Sequence, residues 1–243
     1  MSVTEPSRRA ELALLRAGAR HVIGVDEVGR GAIAGPVAVG VAVVGSRMPA
    51  PPAGLRDSKL LSQRRREELQ PLLTGWLLAG AVGLASVQEI EALGIVHCLG
   101  LAGARALAQL DAALLAEAVV LLDGGHDYLS GHLPAHLPAA LRETLPGPPP
   151  VHVRVKADRD CTVVAAASVL AKVHRDRLMI AAHEGAPHYG WASNKGYAAA
   201  AHYAAIETAG VHPLHRRSWL RRPAERTAVE GDPAADAHRH TLN

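Results

Sequence analysis

The stretch His21-Val22-Ile23-Gly24-Val25-Asp26-Glu27-Val28-Gly29-Arg30-Gly31 decides how this chain folds. A short apolar run rich in Val and Ile that stops at two adjacent acids reads as a buried strand delivering carboxylates to a sheet end. Two neighbouring acids repel each other and lose solvation there. Something must compensate, and a divalent cation is the usual answer. Gly29-Arg30-Gly31 adds free backbone N–H groups and a guanidinium, both suited to phosphate. Carboxylates for metal beside donors for phosphate suggest metal-dependent phosphodiester chemistry.

Downstream the pattern recurs. Ala118 to Leu122 reads as a second apolar strand ending in an acid, Asp123. Val151 to Val155 reads as a third, running into Lys156-Ala157-Asp158. Gly35 to Val44 and Gly80 to Ser86 are further strands. Ser62 is placed to cap a helix that carries Arg64 to Arg66. Val87 to about Leu115 shows helical periodicity, with Ile90, Leu93, His97, Leu101 and Ala104 on one side. Val163 to about His183 reads as a long helix, His188 to Tyr197 as a polar, aromatic loop, and Ala198 to Ala209 as a helix ending at Gly210. Asp127 to Pro150 is loop-rich. Strands alternate with helices, and a short turn joins the first two strands. The prediction is α/β, a mixed β-sheet flanked by helices with a helical C-terminal part. Residues 1–20 form a lead-in, 21–221 one domain, and the composition of 222–243 predicts a disordered tail.

The composition sets bounds. With 243 residues the chain can bury a full core, and 49% hydrophobic with 20% charged residues fits a soluble globular protein. A net charge of +3 and a pI near 9.1 are compatible with a polyanion partner but too mild to argue one alone. Cys98 and Cys161 are the only cysteines, which excludes a disulfide framework and a Cys-x-x-Cys zinc site. Two free buried thiols in a reducing cytoplasm is the plain reading. No signal core is seen, and no run of ~18 apolar residues predicts a transmembrane helix.

Competing chemistries fail on motif. The chain has no Gly-x-x-x-x-Gly-Lys-Ser/Thr phosphate loop, no Gly-x-Gly-x-x-Gly and no Gly-x-Ser-x-Gly. His183-Glu184 and His188 have the wrong spacing for a zinc protease helix, and Pro187 would break it. If the acid-bearing strands are neighbours, Asp26, Glu27, Asp123 and Asp158 converge. Such a cluster suits two hard cations ~3.5–4 Å apart. An isolated Asp is more often a turn or a helix cap; three recurrences of strand, acid and small residue favour a site.

Six segments carry a family resemblance: GVDEVGRGAIAGPV (24–37), RDSKLLS (56–62), VVLLDGG (119–125), VKADRDCTVVAAASVLAKVHRDRLM (155–179), HYGWASNKGY (188–197) and HPLHRRSW (212–219). In this order they resemble ribonuclease HII, the type 2 ribonuclease H, over about residues 20 to 220. The resemblance implies a ribonuclease H-like fold. It implies hydrolysis of RNA in RNA–DNA hybrids and cleavage 5′ to ribonucleotides embedded in duplex DNA, leaving a 3′-hydroxyl and a 5′-phosphate. Asp26, Glu27, Asp123 and Asp158 would be the metal-binding carboxylates, with Mg²⁺ or Mn²⁺ as cofactor. Gly29, Arg30 and Gly31 match the loop that reads the ribonucleotide. The 2′-hydroxyl is the only local label of RNA, and a Gly-rich turn can approach it closely. Tyr197 matches the aromatic that stacks on the neighbouring sugar.

The basic residues divide less cleanly. Lys59 is placed to hold a phosphate, and Lys172 either contacts nucleic acid or pairs with an acid. Arg64 to Arg66 and Arg216-Arg217 read as solvated faces, and His212 and His215 as structural. Three positions depart from the family pattern: Leu60 replaces a second Lys, Asn194 replaces a His, and Ala165 replaces a small polar residue. The tail lacks the aromatic-Leu ending that would bind a sliding clamp, and a monomer suffices. Sister type 3 enzymes carry an N-terminal substrate-binding domain, which residues 1–20 are too few to hold. A junction resolvase needs no 2′-hydroxyl sensor. The alternative is a non-catalytic hybrid-binding module, which loss of acids would mark; all four are filled.

Overall fold

Strand β1 (His21–Val28) lies at the centre of a five-stranded sheet. The computed structural model describes residues 5–131 and 149–220; the tail over 222–243 and most of the loop before Pro150 lie outside the described residues. Strand β2 (Val37–Gly45) returns antiparallel to β1, and β3 (Ala79–Ala85) pairs antiparallel with β2. On the other side of β1, β4 (Ala118–Asp123) and β5 (Val151–Arg154) continue the sheet in parallel. The order is β3-β2-β1-β4-β5, so the sheet is mixed, as expected.

Helix α1 (Arg9–Arg16) precedes the sheet, and α2 (Gln63–Trp76) follows a 3₁₀ turn at Ser58–Leu60. Ser62 caps α2, its hydroxyl accepting from the Arg65 N–H at 3.2 Å. The helical run expected over Val87–Leu115 is three helices: α3 (Val87–Leu93), α4 (Ile95–Leu107) and α5 (Ala112–Leu115). Gly94 separates the first two with a φ of 79°, which a side chain would oppose, and Asp111 caps the third. After β5 come the single-turn α6 (Ala157–Asp160), the long α7 (Thr162–Gly185), α8 (Trp191–Asn194) and α9 (Ala200–Ala209). The expected 188–197 loop is thus largely 3₁₀ and α turns, begun by Pro187. None of the described helices is long and apolar enough to cross a membrane.

Alternation along β1 sorts its side chains between two apolar layers. Ile23 and Val25 pack with Leu99, Ala102 and Ala106 of α4. Val22 packs with Val163, Ala167 and Leu170 of α7 and with Leu69 and Leu73 of α2. A third cluster gathers Ala34, Met179, Tyr189 and Trp191 under the C-terminal helices. Helix α7 lies unusually close to the sheet. A Cβ on Gly24 would sit 2.5 Å from the Val163 carbonyl, and one on Gly40 would collide with the Ala167 carbonyl oxygen. Glycine at these positions lets the helix backbone rest on the strands, which brings Ser168 over the end of β1.

Candidate active site

Asp26 and Glu27 lie inside β1 rather than after it, because pairing with β2 continues to Val28. The pleat therefore sends Asp26 toward α7 and Glu27 toward α4. Asp123 ends β4, one step beyond the Val25–Leu122 pairing of the parallel β1–β4 ladder. Both acids thus reach the carboxyl ends of neighbouring parallel strands, where open α/β sheets place their ligands. Asp158 is not at a strand end: β5 stops at Arg154, and Asp158 sits in α6. Its backbone N–H donates to Asp123 Oδ1 at 3.3 Å, and that contact brings the fourth acid to the others. Lys156, at a φ of 61°, makes the turn between strand and helix.

Two of the acids are buried, Asp26 at 1% and Asp158 at 4% exposed, and Glu27 and Asp123 are partly buried. Burial pushes the Asp26 carboxyl well above its ordinary range, with Glu27 and Asp123 adding repulsion; the Ser168 hydroxyl and Lys59 act the other way. Burial likewise raises Glu27 and Asp123, the latter helped by Asp158. Asp26 Oδ1 accepts from the Glu27 N–H at 2.8 Å, while Oδ2 is buried with no hydrogen-bond partner.

Besides Arg30 at Glu27, the cation that acts on all four acids is Lys59. Its Nζ lies 3.2 Å from Asp158 Oδ2, and its charge also acts on Asp26, Glu27 and Asp123. Burial lowers the Lys59 pKa, but Asp26, Asp158 and Asp57 outweigh it and the net shift is upward. The Lys59 backbone is fixed by its N–H donating to Asp57 Oδ1 at 2.9 Å. Among the described residues no three acids, histidines or cysteines are drawn together into a finished metal-ligand group. The chemistry of the donor set nevertheless fits a hard divalent cation: buried oxygens, mutual repulsion, and an unsatisfied Asp26 oxygen. Asp26, Glu27, Asp123 and Asp158 are the residues that would hold it.

Beside the acids runs Gly29-Arg30-Gly31. Gly29 has a φ of 85°, and a Cβ there would strike the Arg175 guanidinium. Arg30 reaches Glu27 Oε1 at 3.4 Å with half its side chain in solvent, a surface pair worth under about 1 kcal/mol. Tyr197 is 37% exposed. Lys172 and Arg175 lie 5.6 and 5.4 Å from its ring centroid, in reach of cation–π attraction. Of the two readings of Lys172, the structure shows the acid pair: Nζ is 2.7 Å from Asp176 Oδ1.

Two expectations about arginines are corrected. Arg66 is 9% exposed and Arg216 is fully buried, whereas both read as solvated. Arg66 bonds Asp176, Ser58 O and Leu61 O. Arg216 bonds loop carbonyls, and burial, then the Arg175 charge, lower its pKa to about 9, still charged at neutral pH. A charge run shows how many cations are present but not which of them a distant loop will cover. Arg64 is solvated, as expected.

Sequence reasoning also missed Tyr128, Ser168 and His202. Tyr128 is buried with its hydroxyl 3.5 Å from Glu27 Oε2, and Ser168 Oγ lies 2.7 Å from Ser58 Oγ. No spacing rule pairs residues so far apart; only Ser168, inside the helix motif that carries Asp158, lay near a signal.

The expectation that His212 and His215 are structural matches the geometry. Trp191 Nε1–H can only donate, so His202 Nε2 accepts it at 3.0 Å and His202 Nδ1–H donates to Tyr197 O at 2.9 Å. The His212 N–H donates to His215 Nδ1 at 2.8 Å, so His215 Nε2–H donates to His202 Nε2 at 3.1 Å. The two donors share the single lone pair of His202 Nε2, an arrangement open only when both rings are neutral. Burial lowers both pKa values, His215 to about 4. The unfolded chain, with His near 6.5, binds protons first. This contribution is therefore intact above pH 6.5 and is lost as pH falls toward 4, at about 2 kcal/mol by pH 5. Histidine-selective NMR titration should show the His215 ring still neutral at pH 5 and the His202 ring titrating below its ordinary range; both titrating near 6.5 would refute the network.

Comparison with known proteins places this arrangement in a class. Ribonuclease HII from Archaeoglobus fulgidus, solved in complex with PCNA, superposes with a TM-score of 0.60 at 25% identity, over 83% of this chain and 96% of that one. The ribonuclease H2 of Pyrococcus horikoshii gives 0.55 at 26%, over 82% and 94%. The fold is thus that of the type 2 ribonucleases H. Residues 23–222 match the family model described as Ribonuclease HII. The Ribonuclease HII of Streptomyces griseus is 47% identical over 220 residues, 88% of this chain and 84% of that protein. The chain belongs to the ribonuclease HII family, a family of endoribonucleases.

Proposed function

We propose that this protein is a divalent-cation-dependent endoribonuclease of the cytoplasm. It hydrolyses the RNA strand of RNA–DNA hybrids and nicks duplex DNA on the 5′ side of a single embedded ribonucleotide, leaving a 3′-hydroxyl and a 5′-phosphate. The observation that carries this reading is the group of acids Asp26, Glu27, Asp123 and Asp158, the first and last of them buried, beside the Gly29-Arg30-Gly31 turn, whose Arg30 and Gly31 are exposed. Mg²⁺ or Mn²⁺, held by these four carboxylates, would supply nucleophile activation and charge neutralisation at the scissile phosphate.

The chain's own residues do the rest. Exposed Arg30, held only by a weak surface pair, is free to exchange Glu27 for a phosphate oxygen. Lys59, two-thirds exposed at its side chain, is placed to exchange Asp158 for a phosphate oxygen in the same way. Tyr197 presents a ring face for a sugar or base, stiffened by Lys172 and Arg175 beneath it. The protein acts as a monomer.

Three end-labelled duplexes test this, each with and without Mg²⁺: all DNA, DNA with one ribonucleotide, and a full RNA–DNA hybrid. Metal-dependent cutting of the last two, 5′ to the lone ribonucleotide in the second, is the expected result. An intact ribonucleotide-containing duplex in both Mg²⁺ and Mn²⁺ would leave the non-catalytic hybrid-binding module as the reading.

A further inference from the structure

Arg175 and Arg216 are both fully buried, and among the described residues neither pairs with an acid. Burying two cations near each other costs several kcal/mol per ion unless good geometry repays it. Their partners are all backbone carbonyls of two loops. Arg216 donates to Gly29 O at 2.7 Å, to Arg30 O at 2.9 Å and to Gly35 O at 3.0 and 3.1 Å. Arg175 donates to Ala34 O at 3.0 Å, Pro36 O at 2.8 Å and Lys195 O at 2.9 Å. The same loops are stitched together by the Ile33 and Ala34 N–H groups donating to Gly196 O.

The consequence lies on the other side of each peptide plane. In a planar trans peptide the C=O and the N–H point in opposite directions. No peptide bond here is cis. With the Gly29 and Arg30 carbonyls drawn inward onto Arg216, the N–H groups of Arg30 and Gly31 must point outward. Both residues are exposed, and neither N–H has a partner among the described residues. A side chain on Gly31 would meet only open space, so the way to these donors is clear.

We infer that Arg216, supported by Arg175, is a positioning residue: its guanidinium fork sets the peptide planes of Gly29-Arg30-Gly31 so that two adjacent N–H donors face the ribonucleotide. This rests on the ribonucleotide-reading role proposed above and adds the element that enforces it. The Trp219 ring centroid lies 4.9 Å from the same guanidinium, within reach of cation–π attraction, and so helps to hold the fork in place.

The test is Arg216→Lys, which keeps the charge and loses the fork. Binding is read by fluorescence anisotropy, in EDTA and in Ca²⁺, for a short DNA duplex with one central ribonucleotide and for its all-DNA counterpart. The expected result is a fall of about tenfold in the preference for the ribonucleotide duplex, with all-DNA binding unchanged. Trp219→Ala leaves both arginines in place and should lower the same ratio about threefold, which keeps the test valid if Arg216→Lys does not fold. An unchanged ratio, or equal loss on both duplexes, would overturn the positioning role. If the parent protein itself shows no preference, the failure lies in the ribonucleotide reading rather than in Arg216.

Discussion

Asp26→Asn is expected to abolish cleavage of ribonucleotide-containing duplexes while raising the melting temperature of the metal-free protein. The first half follows from the donor set. Asp26 is the most buried of the four acids, and its Oδ2 is the buried oxygen without a partner. An amide keeps the shape and the acceptor for the Glu27 N–H, but removes the charge that a divalent cation needs. Loss of several kcal/mol of transition-state stabilisation corresponds to a fall in kcat on the order of 10³-fold or more. The second half follows from burial. Without metal, the carboxylate is taken out of water and set against Glu27 and Asp123. Replacing it with a neutral group should add about 1–2 kcal/mol in EDTA, the usual exchange of function for stability. Turnover within tenfold of the parent would remove Asp26 from the metal site. A lower melting temperature in EDTA would show that the buried charge is already well compensated.

Asp176→Ala is expected to destabilise the protein more than any single surface change. Asp176 is 2% exposed and serves two cations at once: Arg66 at 3.2 Å and Lys172 at 2.7 Å. Arg66 in turn holds the Ser58 and Leu61 carbonyls, so the acid on α7 anchors the 3₁₀ turn that presents Lys59. Removing it leaves two partly or fully buried cations facing each other, at a cost of about 3–5 kcal/mol, or roughly 10 °C in Tm. Urea unfolding at neutral pH measures it directly. A loss below about 1 kcal/mol would mean that water screens the trio.

The strands and the long helix were legible because their apolar runs are unambiguous. Val37 to Val44 is buried at every position, and α7 begins within a residue of its expected start. Less legible were the element ends. The sequence places Asp26 and Glu27 after a strand, but the ladder with β2 carries the strand through them. The Val87–Leu115 run reads as one helix because its periodicity is continuous; a positive φ at Gly94 interrupts it. For Asp158 the error was of kind: its approach to Asp123 depends on the turn at Lys156 rather than on a strand end.

What the sequence determined by itself is the alternation of apolar runs and acids, and with it a mixed sheet carrying a carboxylate group and the family to which the chain belongs. These are local or cumulative signals, readable residue by residue. Only the tertiary structure decided which cations are spent inside. Arg216 and Arg217 are neighbours of the same type, yet one is sealed against the carbonyls of Gly29, Arg30 and Gly35 and the other is exposed. Likewise Lys172 and Arg66, far apart in the chain, share one buried Asp176. The reason is physical: the environment of a charge is set by whichever distant backbone comes to lie over it, and no spacing along the chain encodes that.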